Sequence, residues 1–172
     1  ALRLAAAWGR AGDPARSAQV VNLFLTQNPN DVAAQRLAAA VYAQAQDWRG
    51  VLRMLQAVQA QTGAHDALLM ADLAQAARAY AAFAYRLMPS NPVMADIYGW
   101  TLFKTGMKGM APIDLLEKAV ALAPGHPVLL THLGQAYAAA GRTGEAKLAL
   151  GRAVAVKGFA GRDEAVEALA AL

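Results

Sequence analysis

Apolar positions recur along this chain at helical spacing, and small or polar residues interrupt them at intervals. Apolar-periodic stretches end at Gly12, Gln46, Gly106 and Gly141. Each is followed by a second stretch, and these second stretches end near Pro29, Gly63, Pro89, Pro124 or Gly158. Glycine just past a helix end adopts the left-handed conformation at little steric cost, and proline suits the first turn of the next helix. The pattern therefore predicts pairs of helices joined by tight turns. Alternating runs of Val, Ile and Thr, which would mark strands, are absent.

The breaks carry capping chemistry. In "GDPARSA", Gly12 closes one helix, Asp13 caps the next and Pro14 takes its first position. "SNPV" and "GHPV" repeat the device with Asn91–Pro92 and His126–Pro127, and Asp47 and Asp163 are further N-cap candidates.

The pairs repeat. "LMPSNPVMADIYGW" (87–100) returns as "LAPGHPVLLTHLGQ" (122–135), with Leu87, Pro89, Pro92 and Gly99 each meeting its like 35 residues on. Trp8 and Tyr42, Asp13 and Asp47, Phe24 and Val58, and Leu116 and Leu150 stand 34 apart. One extra residue in "MKGMAPIDL" accounts for the longer offset. A period of 34 with two helices per unit is the tetratricopeptide signature. "HPVLLTHLGQAYAAAGRTGEAKLALGRAVAV" resembles that family through Leu133–Gly134, Tyr137, Gly141, Ala146, Leu150 and Ala153. Gly134, Ala146 and Ala153 would be small where helices cross, with Tyr137 and Leu150 filling the space beside them. The resemblance implies an all-α fold: a right-handed solenoid of stacked antiparallel hairpins, read as a single domain over 1–172. Its units run over about 1–29, 30–63, 92–126 and 127–158. Residues 64–91 form an irregular unit: Gly63 to Pro89 is eight short of a repeat, and "AHDALLMADLAQAARAYAAFAYRLM" has no internal turn residue. One fused helix of about 24 residues is the favoured reading of that stretch, two short helices the other.

The ends are unequal. In "FAGRDEAVEALAAL", Asp163, Glu164 and Glu167 form a polar side while Ala165, Val166 and Leu169 can face inward. That describes a capping helix over 162–172, which a last repeat needs. Leu2, Leu4 and Trp8 open the chain with nothing before them, so it is expected to be the C-terminal part of a longer protein, or to self-associate through this front.

Composition narrows the chemistry. Alanine supplies much of the 57% hydrophobic content, as helices that approach closely require. The 16 basic residues are scattered and leave a net charge of only +4, so a nucleic-acid stripe is not expected. With no cysteine, disulfides, thiolate metal sites and Cys nucleophiles are excluded. No run approaches the roughly 20 apolar residues of a membrane span. The histidines stand at 65, 126 and 132. His65 and His126 read as turn residues, and His132 has no acidic or histidine neighbour three or four residues away. Asp114 with Glu117, and Glu164 with Glu167, read as solvated helix faces. No phosphate loop or hydrolase motif occurs, so no catalytic residue, metal or cofactor is assigned.

Function is expected in a groove lined by the first helix of each pair. The family spacing projects Arg36, with Ala40 beside it; Asp96, Trp100 and Lys104; and Thr131, His132 and Gln135 onto it. Since Gly99 should face the partner helix, Trp100 should point elsewhere. It reads either as a binding anchor or as half-buried against the 64–88 segment. Trp8 reads as a packing aromatic, Trp48 as an edge residue, and Met107 and Met110 as inter-helix packing or an adaptable apolar contact. The paired Lys/Asn arrangement that grips C-terminal carboxylates is not matched. "NPVMADIYGWTLFKTG", "LLEKAVALAPGHP" and the Phe-containing linker with its acidic helix are similar to the C-terminal region of bacterial TPR lipoproteins of exosortase-type exopolysaccharide systems. Asp96, Gly99 and Trp100 match an Asp-x-x-Gly-Trp run seen there. This likeness implies a periplasmic or envelope location, with a cytoplasmic one as the alternative. It also implies a non-enzymatic scaffold for a protein or peptide partner; the rival is an accessory arm of a larger enzyme such as a glycosyltransferase.

Overall fold

A computed structural model describes residues 1–63, 67–107 and 109–172. Among these the chain is all-helical, with ten helices and no strand. They are α1 (Leu2–Arg10), α2 (Pro14–Gln27), α3 (Val32–Gln44), α4 (Trp48–Thr62), α5 (Ala67–Leu87), α6 (Pro92–Lys104), α7 (Met110–Leu122), α8 (Pro127–Ala139), α9 (Thr143–Ala155) and α10 (Arg162–Ala170). Four hairpins result: α1–α2, α3–α4, α6–α7 and α8–α9. No described helix is long and apolar enough to cross a membrane.

The turn inside each hairpin is built four times in the same way. Gly12, Gln46, Gly106 and Gly141 all have positive φ, between 57° and 80°. At each, the next residue's amide reaches back five residues, from Asp13 to Trp8, Asp47 to Tyr42, Met107 to Leu102 and Arg142 to Tyr137. This is the Schellman closure, which satisfies helix-end carbonyls but demands a left-handed residue. Glycine supplies it at three turns; Gln46 does so with a side chain in the way. Asp13, Asp31 and Asp47 then cap the following helices by accepting from Arg16, Ala34 and Gly50 amides, and Asn91 accepts from Val93 and Met94. Two cap assignments change. His126 stands at the N-cap of α8 but its side chain makes no cap bond. Asp163 lies inside the first turn of α10, because the left-handed Gly161 starts that helix earlier.

Residues 1–80 form one compact unit. In it the two hairpins stack through α2 against α3 and α1 against α3. Val21, Ala34, Ala38, Leu55, Val58 and Leu69 are buried. Ser17 is buried too, its hydroxyl donating to the Ala5 carbonyl at 2.7 Å.

Residues 81–172 form the second unit. Its hairpins stack through α7 against α8 and α6 against α8, and α10 closes on α9. Leu116, Leu129, Leu130, Leu150 and Ala153 fill the core. Gly99 and Gly134 stand where helices cross. A Cβ on Gly134 would lie 2.5 Å from Leu150 Cγ, and one on Gly99 would lie 3.0 Å from Leu116 Cγ and the Pro112 carbonyl. Ala165 of α10 is fully buried, with Leu169 packed beside it. Val166 is 38% exposed, because only one narrow stripe of a nine-residue helix can reach α9.

Over the described residues the irregular stretch is the single 21-residue helix α5. Leu69 and Ala76 on it are buried in the first unit's core, and Tyr85 packs at the edge of the second unit's core.

One tyrosine position recurs. Tyr42 on α3 donates to Asn22 Oδ1 on α2 at 2.5 Å, and Tyr137 on α8 donates to Glu117 Oε1 on α7 at 2.7 Å. Each ties a hairpin to the one before it. Arg142 lies over the Tyr137 ring at 4.3 Å and pairs with Glu145, holding that carboxyl below its usual range. Burial, and then the hydrogen bond to Glu117, push the Tyr137 phenol up to about 12.

Two outcomes follow. Gln46→Gly relieves the left-handed glutamine and is expected to stabilise the protein by about 0.5 kcal/mol, net of the greater freedom glycine gives the unfolded chain; a denaturant titration reads it. The folded Tyr137 keeps its proton above the ordinary 10.0, where the unfolded chain loses it. Its contribution is intact below that value and declines as pH rises toward about 12. Melting curves should therefore show wild type losing stability relative to Tyr137→Phe across that alkaline window.

Candidate interaction face on α6 and α8

The first helices of the second unit's two hairpins, α6 and α8, lie against each other. On α6, Gly99 faces α7, where Leu115, Leu116 and Pro112 approach it. The next residue is turned by about 100° around a helix. Trp100 is thereby aimed across to α8, as its neighbour's role required.

There it meets His132. The two rings are stacked with centroids 4.0 Å apart and planes within 8°. Phe103, one turn along α6, stacks on the indole at 5.2 Å and 27°. The Lys104 ammonium stands 5.4 Å from the indole centroid. Trp100 is half-buried, and the rings that cover it are His132 and Phe103.

Asp96, one turn before Trp100, holds the histidine. Its side chain is only 7% exposed, and both carboxylate oxygens lie 2.9 Å from His132 Nδ1. A buried carboxylate without a partner is costly, so this contact satisfies Asp96. A carboxylate only accepts, so Nδ1 carries the hydrogen. Asp96 thus fixes the imidazole plane, and the imidazole fixes the indole. Farther along α8, Gln135 donates to Glu164 Oε1 of α10 at 3.1 Å. Thr131 is buried, its hydroxyl donating to the Pro127 carbonyl.

Of the projected groove residues, Asp96, Trp100, Lys104 and His132 are linked by direct contacts, and Gln135 lies one turn along α8 from His132. Arg36 is in the first unit. It is exposed beside a cleft of about 270 Å³ floored by Trp48, Val51 and Leu55, with Asp72 and Gln75 also lining it. Sequence reasoning misses the Asp96–His132 pair because it looks for partners on the histidine's own helix. The available signal is the repeat itself: Asp96 aligns, 35 residues on, with Thr131, beside His132. Phe103 and Glu164 are also missed as members of this face.

The remaining candidates fall elsewhere. Trp8 is half-buried beneath the Arg16 guanidinium at 4.7 Å, and Trp48 opens α4 and packs on the first core. Met107 and Met110 are 42% and 55% exposed. Met107 lines a cleft of about 430 Å³ that begins at Phe103. His65 and Asp66 lie outside the described residues. Among the described residues no three His, Asp or Glu side chains cluster as metal ligands would.

No family model matches the sequence, and no curated protein matches it. Solved structures do. A TPR protein with an unusual peptide-binding site, YrrB, aligns over 99% of this chain and 89% of its own at 18% identity and a TM-score of 0.48. TTC0263, a thermophilic TPR protein of Thermus thermophilus, aligns over 98% and 97% at 20% identity and 0.45. MamA of Desulfovibrio magneticus RS-1 aligns over 88% and 89% at 13% identity and 0.45.

Proposed function

We propose that this protein is a non-enzymatic interaction scaffold that receives a peptide segment of a protein partner on the α6–α8 face. The observation that carries the reading is the Asp96–His132–Trp100 stack. A buried carboxylate is committed to orienting an aromatic that stays partly open to solvent. A protein gains little stability from such an arrangement over a plain apolar contact. It gains a rigid aromatic surface, and tryptophan on a rigid support is among the commonest kinds of binding anchor.

Lys104 and Gln135 flank the anchor as polar rim, and Arg36 is assigned the corresponding role on the first unit's own α3 face. A place in envelope exopolysaccharide or secretion machinery is the finer reading. It is supported by the run of Asp96, Gly99 and Trp100, in which the outer two residues build this face and the glycine turns it outward.

Peptides selected on the intact protein from a displayed random library should bind Trp100→Ala at least about tenfold more weakly. Circular dichroism should show unchanged helicity. If the selected peptides bind Trp100→Ala and Asp96→Asn as well as wild type, the face has been misassigned.

A further inference from the structure

The charges on this face are unequally spent. Asp96 is enclosed, with both oxygens on His132. Glu164 lies on the α10 side, accepting from Gln135. Lys104 is exposed at the end of α6, and its partner among the described residues is the Trp100 ring rather than a carboxylate. A cation thus stands at one side of the aromatic stack, with an acid at the other. Phe103, the residue before the cation, also lines the cleft of about 430 Å³, whose walls include Met107, Ile113 and Ala139. Trp100, Phe103, Lys104 and Met107 follow one another along α6 and its end at near-helical intervals. A ligand following that line meets aromatic, cation and apolar cleft in order.

We propose that the face selects an internal acidic–apolar peptide segment. A side-chain carboxylate sits against Lys104, and a bulky apolar side chain within about a turn of it enters the cleft beyond Phe103. Resting on the interaction-scaffold reading, this assigns its ligand class. Charge complementarity sets the sign, since a basic segment would meet a like charge at Lys104 and find Asp96 already occupied. The acid end is directed toward Lys104 because Glu164 repels it from the α10 side. A chain-terminal carboxylate is disfavoured, because among the described residues on α6 and α8 Lys104 is the one cation on this face, without the second polar partner a paired clamp would supply.

The test uses the whole protein and a display library in which random segments are fused at both ends, so that no free terminus is offered. Binders are kept when Trp100→Ala weakens them, and these are sequenced. Acidic residues should be enriched at a fixed distance from a large apolar residue. A synthetic copy of one such segment, acetylated and amidated, should bind Lys104→Gln about threefold and Lys104→Glu about tenfold more weakly than wild type, with the difference shrinking in high salt. Selection on Lys104→Glu should shift the binders toward lysine and arginine. Two results overturn the proposal while leaving the scaffold intact: Trp100-dependent binders without acidic enrichment, or binding restored only when the synthetic peptide carries a free C-terminal carboxylate. A library that yields no Trp100-dependent binder overturns the scaffold reading along with it. Because Lys104 also closes a helix end, melting curves of both variants must overlay wild type at the assay temperature.

Discussion

The helices of the second unit can pack as they do only because a side chain is missing where they cross. At Gly134 the space a methyl group would need is already held by Leu150, and at Gly99 it is held by Leu116 and the Pro112 carbonyl. Dispersion is short-ranged, so this contact distance decides how completely each hairpin's apolar face is covered. Ala146, Ala149 and Ala153 along α9 and Ala119 on α7 continue the same economy of size. The alanine-rich composition is thus a packing requirement as well as a helix preference.

The aromatic face of α6 and α8 is a by-product of that constraint. Once Gly99 is fixed against α7, helical geometry leaves Trp100 turned toward α8. The contact of α6 with α8 brings Asp96 and His132 within hydrogen-bond distance. A close glycine contact on one side of α6 therefore orders an aromatic stack on another. The two tyrosine ties show the same economy. Each links a first helix to the second helix of the preceding hairpin, and each starts from the residue whose carbonyl closes the Schellman turn. Fold and surface are specified by the same few positions.

Gln46 and Asp31 show where local rules succeed and where they fall short. Aligned with Gly12, Gly106 and Gly141, Gln46 is identified as a turn residue although its type does not favour one, because the repeat carries the information. Asp31 caps α3, although the sequence pattern singles out only Pro29 at that break. His126 and Asp163 stand at plausible positions and do not cap. A cap depends on side-chain geometry relative to the first amides, which residue type and spacing only approximate.

By itself the sequence determined the hairpins. Helical apolar spacing, left-handed turn residues and a repeat of 34 or 35 residues act within one turn or along one helix, so they can be read without coordinates. It also placed Gly99 and Trp100 on different sides of α6, because rotation per residue is a property of the helix. Only the tertiary structure decided what Trp100 would meet. The Asp96–His132 bond spans 36 residues, and the Gln135–Glu164 bond spans 29. Such partners are chosen by how far one helix slides and rotates against the next. That is settled by the summed contact of many small side chains, and no single residue announces it.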